Sequence, residues 1–150
     1  MYIGEKLIDR PFRWGIVGGG KTSQVGYKHR LGAMRDNTSF VLKAAAFDVD
    51  AERCKEFGRN LCMDEDRCYP DYKTMFEAEA KREDGIEAVD IATPNFQHFE
   101  VCKAALEAGL HVICEKPLFF EAEQGEEIKK LAEEKGKIVA VTYGFSGFEL

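Results

Sequence analysis

The sequence predicts an α/β fold with a doubly wound, mainly parallel sheet of five or six strands and helices on both faces. Short apolar runs alternate along the chain with amphipathic stretches of helical periodicity, which is typical of strands joined by crossover helices. The apolar runs are almost continuously hydrophobic, as parallel strands buried on both faces must be. With 150 residues, 45% of them hydrophobic and 32% charged, the chain has the length and composition of one globular domain.

The predicted strands are the apolar runs bounded by turn residues. In chain order they are Arg13–Val17, Val41–Phe47, Ala88–Ala92, His111–Cys114 and Ile138–Thr142, with a further short strand near Cys68–Tyr69. Helices are predicted between them, at Ser23–Met34, Asp50–Asn60, Lys73–Arg82, Phe96–Ala108 and Glu121–Lys135. Asp50 is a preferred N-cap residue, and Gly136 stands where a C-terminal cap is expected. Val25, Leu31 and Met34 share one face of the first helix, which predicts that this face is buried.

Composition and charge exclude several classes of protein. Lys plus Arg number 21 against 27 Asp plus Glu, and the net charge of −6 with no basic block argues against a nucleic-acid partner. No apolar run approaches the roughly 18 residues of a membrane span. Residues 1–11, which we take as an N-terminal arm before a domain of residues 12–150, lack the apolar core of a signal peptide. The five cysteines form no C-x-x-C pair, which predicts free thiols, no metal site and a cytoplasmic protein.

The glycine-rich loop after the first strand fits two phosphate-binding motifs. Gly15-Ile-Val-Gly-Gly-Gly20-Lys21-Thr22 matches the G-x-x-x-x-G-K-[ST] pattern of ATP- and GTP-hydrolysing domains. The overlapping stretch that begins at Gly18 nearly matches the G-x-G-x-x-G pattern of dinucleotide-binding domains. The first motif would put proline and arginine in a central strand and β-branched residues in the loop, which suits neither residue type. The second motif is therefore favoured.

The favoured motif assigns a role to each residue of the loop. Gly18 permits the tight turn, and Gly20 lets the backbone approach a pyrophosphate. The N–H groups that open the following helix would face the phosphates, with Ser23 either capping the helix or donating its hydroxyl. Thr22 is a candidate cofactor contact, and Lys21 is either a phosphate contact or a solvated loop lysine. The loop thus predicts a Rossmann-type domain with NAD as its cofactor.

Asp48, at the end of the second strand, is a candidate ribose contact. An acid at this position accepts hydrogen bonds from the adenosine ribose hydroxyls and repels a 2′-phosphate, which favours NAD over NADP. Two alternatives stay open. Asp48 could serve only to cap the turn before Asp50, and Arg53 could neutralise a 2′-phosphate so that NADP is accepted.

A second candidate segment, Thr93-Pro94-Asn95, follows the strand Ala88–Ala92, with His98 close behind it. Ligands of open α/β sheets bind at the carboxyl ends of the strands, where this segment is expected to lie. The alternative is that Thr93 or Asn95 only caps the next helix.

A third candidate segment, Glu115-Lys116-Pro117, follows the strand His111–Cys114. A lysine at such a strand end can hydrogen-bond a substrate hydroxyl and stabilise a developing alkoxide beside a hydride-transfer centre. The alternative is a surface Glu–Lys pair before a proline turn.

Together these motifs resemble those of the Gfo/Idh/MocA oxidoreductases, the relatives of glucose–fructose oxidoreductase and inositol 2-dehydrogenase. The shared features are GIVGGG, the strand-end Asp48, ATPNFQH and CEKP in this order, from about Arg13 to the chain end. The resemblance implies an NAD(P)-dependent enzyme that transfers a hydride between nicotinamide and a sugar, cyclitol or related polyol. It also implies a C-terminal α/β domain beyond this chain, which in such relatives carries the acid–base pair and most contacts of a homo-oligomer.

The resemblance also implies residue roles. Residues near the nicotinamide ribose are expected to be Thr93, Pro94, Asn95 and His98. The catalytic lysine is Lys116, which contacts substrate or nicotinamide, with Glu115 beside it and a Lys116–Pro117 peptide that is often cis in such relatives. This chain alone is expected to bind the dinucleotide without turnover.

The glycine loop departs from the family pattern at one position and from the general dinucleotide motif at another. Thr22 stands where relatives often carry a glycine, and threonine would be strained there if the position required a positive φ. Ser23 replaces the third glycine of the motif, with Gly26 or Gly32 available for close packing. Two other functions stay open, namely a phosphate-loop ATPase or GTPase and a non-catalytic sensor of NAD(H).

Overall fold

A computed structural model of the chain describes residues 10–35 and 39–147, and within them the predicted α/β fold is confirmed. Five parallel strands form one sheet in the order β2-β1-β3-β4-β5. The strands are β1 Phe12–Gly18, β2 Phe40–Ala46, β3 Ala88–Ala92, β4 His111–Glu115 and β5 Val139–Thr142. The helices of this part are α1 Gln24–Met34, α2 Ala51–Asn60, α3 Tyr72–Glu79, α4 His98–Glu107 and α5 Ala122–Lys135. The order is that of a Rossmann fold.

The predicted strand near Cys68–Tyr69 is reduced to one isolated parallel bridge at the β2 edge. Cys68 pairs with Ala45, and the Tyr69 N–H donates a hydrogen bond of 2.7 Å to the Ala45 carbonyl. The chain therefore winds outward from β1 in both directions. It passes through β2 to this bridge on one side, and through β3 and β4 to β5 on the other.

The two faces of the sheet are packed differently. On one face, which we call the covered face, α3, α4 and α5 pack on the inward side chains of the strands. That core includes Val89, Ile91, Leu106 and Val112, all almost completely buried. On the other face, the α1 face, α1 and α2 cover a smaller cluster around Trp14, Ile16 and Phe47 at the β1 and β2 side of the sheet.

The predicted burial of the apolar side of α1 is wrong in part. Leu31 and Met34 are 56% and 61% exposed, and Val25 is only partly buried. The buried residues of α1 are instead Gly26 and Arg30. At 3.6 residues per turn, Gly26, Arg30 and Ala33 form the side of α1 that packs inward, and Leu31 and Met34 lie on the outer side.

Helix ends follow local hydrogen bonding. Ser23 and Asp71 cap α1 and α3, accepting hydrogen bonds from the Gly26 and Thr74 N–H groups at 3.1 and 2.8 Å. The helix predicted from Phe96 begins two residues later, because residues 95–97 form a 3₁₀ turn. α3 ends at Glu79 rather than Arg82, since the chain continues as turns.

The predicted arm of residues 1–11 lies, but for its last two residues, outside the part that the structure describes. Arg10 forms an ion pair of 2.7 Å with Glu87. In the described ranges, no helix combines the length and hydropathy needed to cross a bilayer. The five cysteines are free thiols, and no group of three or more potential metal ligands occurs among residues 10–35 and 39–147.

Candidate functional site

The candidate site lies where the strands end. Because β1, β2, β3 and β4 are parallel, their carboxyl ends meet at one edge of the sheet. This edge brings together the glycine loop after β1, Asp48 after β2, Thr93 after β3 and Lys116 after β4. Four segments distant in sequence thus meet at one edge of the sheet.

The chain turns at Gly18, at the end of β1. Ile16 and Val17 lie within β1 and are buried, and left-handed backbone begins at Gly18 and Gly19, with φ of 75° and 66°. A β-carbon at Gly18 would lie 2.7 Å from the Ala92 carbonyl oxygen, so only glycine fits. The ATP or GTP alternative required β1 to end before Gly15, and the structure overturns it.

The rest of the loop approaches β2 closely. A β-carbon at Gly20 would lie 2.7 Å from the Phe47 carbonyl oxygen. Thr22 is unstrained, because Cys62 is the one non-glycine residue with positive φ in the described part of the chain. No described residue accepts a hydrogen bond from the backbone N–H groups of Lys21 and Thr22. These groups therefore join the N–H groups of the first turn of α1, which a helix cannot satisfy itself.

Two residues of α1 support the loop from behind. A β-carbon at Gly26 would collide with the Gly19 backbone, whereas Gly32 has open space, so Gly26 is the close-packing glycine. The buried Arg30 guanidinium donates a hydrogen bond to the Gly19 carbonyl and lies 5.0 Å from the Phe57 ring centroid. We did not assign Arg30 from sequence, although an arginine on the inner side of a helix already indicates a buried partner.

Asp48 lies in a pocket of about 280 Å³ beside the loop. The pocket is lined by Gly20, Lys21, Thr22, Phe47, Asp48, Arg53, Glu56 and Phe57. Arg53 donates a hydrogen bond of 2.8 Å to Asp48, and the Asp50 N–H donates another of 2.9 Å. These donors lower the pKa of Asp48, so the side chain is an anion at neutral pH. Asp48 thus stabilises its own turn and still faces the pocket.

Lys21 is a solvated lysine in this structure. Its ammonium is exposed, 3.6 Å from the Glu56 carboxylate across the rim of the same pocket. A pair of this kind holds its partners weakly, so Lys21 can turn toward an anion without a large cost.

Thr93, in the loop after β3, has an unusual hydroxyl group. Its Oγ1 is buried and has no hydrogen-bond partner in the described part of the chain, and its methyl group lies beside Gly18. A buried hydroxyl without a partner is costly, and such atoms tend to mark binding sites. Pro94 and Asn95 are exposed, and neither Thr93 nor Asn95 caps α4 with its side chain.

His98 is buried, at 1% exposure, so its ring is placed behind the site rather than on its surface. One ring nitrogen lies 3.1 Å from the Thr93 carbonyl oxygen, and the other 2.9 Å from the Pro117 carbonyl oxygen. The ring therefore joins the loop after β3 to the loop after β4. The structure thus shows a structural role for His98, and the cofactor contact that the resemblance implies stays a prediction.

Lys116 opens the loop after β4, with a cis peptide bond to Pro117. Its side chain is 56% exposed, and its ammonium lies 3.9 Å from the Glu115 carboxylate. Glu115 belongs to β4, and both residues line a groove of about 1200 Å³ on the α1 face. The remaining lining is mostly apolar and includes Trp14, Ile113 and Tyr143.

The residues at this edge fit a dinucleotide. Gly18 and Gly20 form backbone cradles that a β-carbon would fill, next to N–H groups suited to bind a diphosphate. The anionic Asp48 faces the adjoining pocket, where an adenosine ribose would lie. On the other side of the loop, the buried hydroxyl of Thr93 has no partner among the described residues.

Comparison with known proteins agrees with this geometry. The GFO_IDH_MocA family profile, described as "Oxidoreductase family, NAD-binding Rossmann fold", matches residues 12–143. The uncharacterized oxidoreductase YfiI of Bacillus subtilis (strain 168) is 68% identical over 150 residues, which are 100% of this chain and 38% of YfiI. The scyllo-inositol 2-dehydrogenase (NADP(+)) IolW of the same organism is 41% identical over 76 residues, 50% of this chain and 21% of IolW.

A solved structure shows the same architecture with a cofactor. The inositol dehydrogenase homolog from Azotobacter vinelandii, complexed with NADH and myo-inositol, superposes with a TM-score of 0.90 at 56% identity. The match covers 93% of this chain and 37% of that chain, so this chain spans well under half the length of the relatives it matches. The chain belongs to the Gfo/Idh/MocA oxidoreductase family, and it is the NAD(P)-binding Rossmann domain of that family.

Proposed function

We propose that this chain binds NAD and supplies one catalytic residue, Lys116, to an oxidoreductase acting on a cyclitol, sugar or related polyol. The observation that carries the proposal is the turn at Gly18, which leaves the N–H groups of Lys21 and Thr22 without a described partner at the same edge of the sheet as Lys116. The N–H groups of Gly20, Lys21 and Thr22 and the start of α1 at Ser23 hold the pyrophosphate.

The sugar and nicotinamide contacts follow from the strand ends. The Asp48 carboxylate accepts hydrogen bonds from the adenosine ribose hydroxyls, which favours NAD over NADP. Thr93 and Asn95, in the loop after β3, are proposed to contact the nicotinamide ribose, with Pro94 shaping that loop. Arg53 forms an ion pair with Asp48. Its positive charge would compensate the negative charge of the 2′-phosphate of NADP. The NADH complex of the Azotobacter homolog supports NAD as the cofactor. The name of IolW includes NADP(+), so NADP is the alternative cofactor to test.

The chemistry assigned to this chain is the orientation and polarisation of a substrate hydroxyl. Bound NAD supplies a hydride acceptor, and reduced NADH the corresponding donor. The Lys116 ammonium donates a hydrogen bond to the hydroxyl and stabilises the negative charge that develops on its oxygen. The Glu115 carboxylate lies 3.9 Å from this ammonium and balances its charge. The myo-inositol in the Azotobacter complex supports a polyol substrate.

The compartment and assembly of the whole protein are part of the proposal. Four of the five cysteines are buried free thiols, as expected for a protein of the reducing cytoplasm. The whole protein is proposed to be a homo-oligomer, with most contacts formed outside this chain.

Cofactor binding is tested by fluorescence titration of Trp14, the single tryptophan. Trp14 is buried in β1, the strand that leads into the glycine loop, so NADH is expected to quench its emission and ATP to compete poorly. Lys21→Ala should weaken NADH binding by about fivefold or less, since an exposed charge contributes at most about 1 kcal/mol. Tight ATP binding that Lys21→Ala abolishes would contradict the proposal.

Catalysis is tested in a full-length protein that contains this chain. Lys116→Ala should lower the rate by about 10²–10⁴-fold, the usual contribution of such a group, and leave NADH binding unchanged. Lys21→Ala is the matched control and should retain most of the rate. The non-catalytic sensor alternative predicts instead that Lys116→Ala leaves the protein's output unaltered. The 150-residue chain alone should bind NADH without oxidising any polyol, and turnover by it would reject this part.

A further inference from the structure

A polar cluster lies on the α1 face, beneath the loop that carries Lys116. It consists of His29, Asp90, Glu115 and Thr142, which we call the His29 cluster. His29 projects from α1 onto the sheet, and the other three members of the cluster come from β3, β4 and β5. The side chains of His29, Asp90 and Glu115 are 11%, 3% and 12% exposed, in a groove that is otherwise mostly apolar.

The contacts of the cluster form a chain that ends at Lys116. His29 Nδ1 lies 2.8 Å from both carboxylate oxygens of Asp90, and its Nε2 lies 3.1 Å from Glu115 Oε1. Thr142 Oγ1 donates to the same Glu115 oxygen at 3.0 Å. The Lys116 backbone N–H donates to the other oxygen, Oε2, at 3.0 Å, and the Lys116 ammonium lies 3.9 Å from it. Both carboxylate oxygens of Glu115 therefore accept hydrogen bonds.

The geometry favours one protonation state of His29. Both ring nitrogens of His29 face carboxylate oxygens, and a carboxylate only accepts hydrogen bonds. The imidazolium, which donates from both nitrogens, is the form that satisfies both contacts. The hydrogen bond and charge of Asp90, with those of Glu115, raise the pKa of His29. His29 lowers the pKa of Glu115, whereas burial raises that of Asp90.

The charges around His29 are nearly balanced. Asp90 and Glu115 face it from the sheet, and the ammonium of Lys116 lies behind Glu115. Arg30, the next residue on α1, acts on Asp90 through space, and Lys28 lines the same groove. Tyr143, after β5, is the other titratable group on the lining. Loss of the His29 proton would leave two nearby carboxylates without the cation between them.

We propose that His29 is a positioning residue for Lys116: as a cation held by Asp90, it fixes the Glu115 carboxylate against which the Lys116 backbone and ammonium rest. This inference rests on the proposed role of Lys116. Its consequence is that the orientation of the catalytic loop depends on the protonation of a residue on α1. Deprotonation of His29 removes one donor from Glu115 and loosens the support of Lys116.

NMR titration of the ¹³C,¹⁵N-labelled chain tests this link directly. The His29 ring is expected to titrate above its ordinary value of 6.5, and the Lys116 amide signal should shift with the same midpoint. In His29→Gln, which cannot titrate, the Lys116 inflection should disappear. His111→Gln is the matched control, because His111 lies at the opposite end of β4, and the inflection should persist in it. A Lys116 amide that stays flat through the His29 titration would overturn the inference, as would an inflection that survives in His29→Gln.

A second variant, Glu115→Gln, tests the inference independently in case His29→Gln misfolds. In Glu115→Gln, His29 keeps Asp90 and should still titrate, at a lower pH, while the Lys116 amide no longer follows it. A Lys116 amide that still follows His29 in this variant would also overturn the inference.

NADH titration of the same samples separates this inference from the proposed function. Wild type that fails to bind NADH contradicts the proposed function. NADH binding with a Lys116 amide that ignores His29 contradicts only the positioning role. In the full-length protein, His29→Gln should lower kcat about tenfold with an unchanged KM for NAD, and an unchanged kcat would contradict the role of His29.

Discussion

The two faces of the sheet carry different kinds of interaction. On the covered face three helices bury a continuous apolar core, in which Val89, Ile91 and Leu106 are fully buried. The α1 face buries a small apolar cluster and leaves a groove whose centre is charged. A charge cluster is tolerated there because its members satisfy one another and the groove remains open to solvent at its rim. The covered face therefore supplies the stability of the domain, and the α1 face its chemistry.

The largest expected difference in stability is between a buried leucine on the covered face and an exposed leucine on α1. Leu106→Ala, in α4, should reduce the free energy of unfolding by about 2–5 kcal/mol, because it leaves a cavity in the covered core. Leu31→Ala, on the exposed side of α1, is its matched control and should cost about 0.5 kcal/mol or less. Urea denaturation measures both, and equal losses would remove the distinction between the faces.

The next effect depends on pH. The folded-state pKa of His29 is raised above its unfolded value of 6.5, so its contribution is fully present below 6.5 and is lost as pH rises through the folded pKa. The contribution should be about 1.5–3 kcal/mol, the range for a hydrogen bond to a charged group. Wild type and His29→Gln should therefore differ most in urea denaturation at pH 5–6 and converge at high pH. A difference that grows with pH would contradict this assignment.

Glu87, away from both faces of the sheet, contributes to stability with a pH dependence opposite in sign to that of His29. Arg10, followed by the Arg13 backbone, lowers its pKa from 4.5 to about 2. Its stabilisation is therefore present above 4.5 and lost as pH falls toward 2. Glu87→Gln should remove that acid-sensitive part and leave the His29 dependence untouched, as denaturation across both pH ranges would show.

A third effect compares two glycines on α1. Gly26→Ala forces a β-carbon into the Gly19 backbone and should cost about 1–3 kcal/mol, with weaker NADH binding because the loop must shift. Gly32→Ala meets nothing within 4 Å and should stabilise the chain by about 0.5–1 kcal/mol through helix propensity. Thermal unfolding and NADH titration of both variants measure this, and tolerance of Gly26→Ala would show that α1 does not hold the loop.

The smallest effect concerns cofactor choice. Asp48→Ala should weaken NADH about tenfold and NADPH less, because the ribose hydroxyls lose their acceptor. Arg53→Ala should do the reverse, weakening NADPH more than NADH. Paired titrations of the two cofactors measure the ratio, and an unchanged ratio in both variants would show that this pair does not select the cofactor.

Local chemistry made part of the site predictable. The turn at Gly18 follows from the unsuitability of proline and arginine for a central strand, and the roles of Asp50 and Ser23 as caps follow from their side chains. The His29 cluster was not predictable, because its members lie 61 and 86 positions apart in sequence and meet only through sheet register. The predicted burial of Leu31 was wrong because the inner side of α1 includes Gly26 and Arg30, which an apolar pattern does not reveal.

The central claim is that one bound dinucleotide reaches both the Gly18 turn and Lys116. Mapping of the NADH site by two-dimensional NMR tests this claim most directly. NADH should shift the amide signals of residues 18–23, Asp48, Thr93–Asn95 and Lys116 in a single saturable transition. Shifts confined to the apolar lining of the α1-face groove, with the Gly18–Ser23 signals unmoved, would contradict the account.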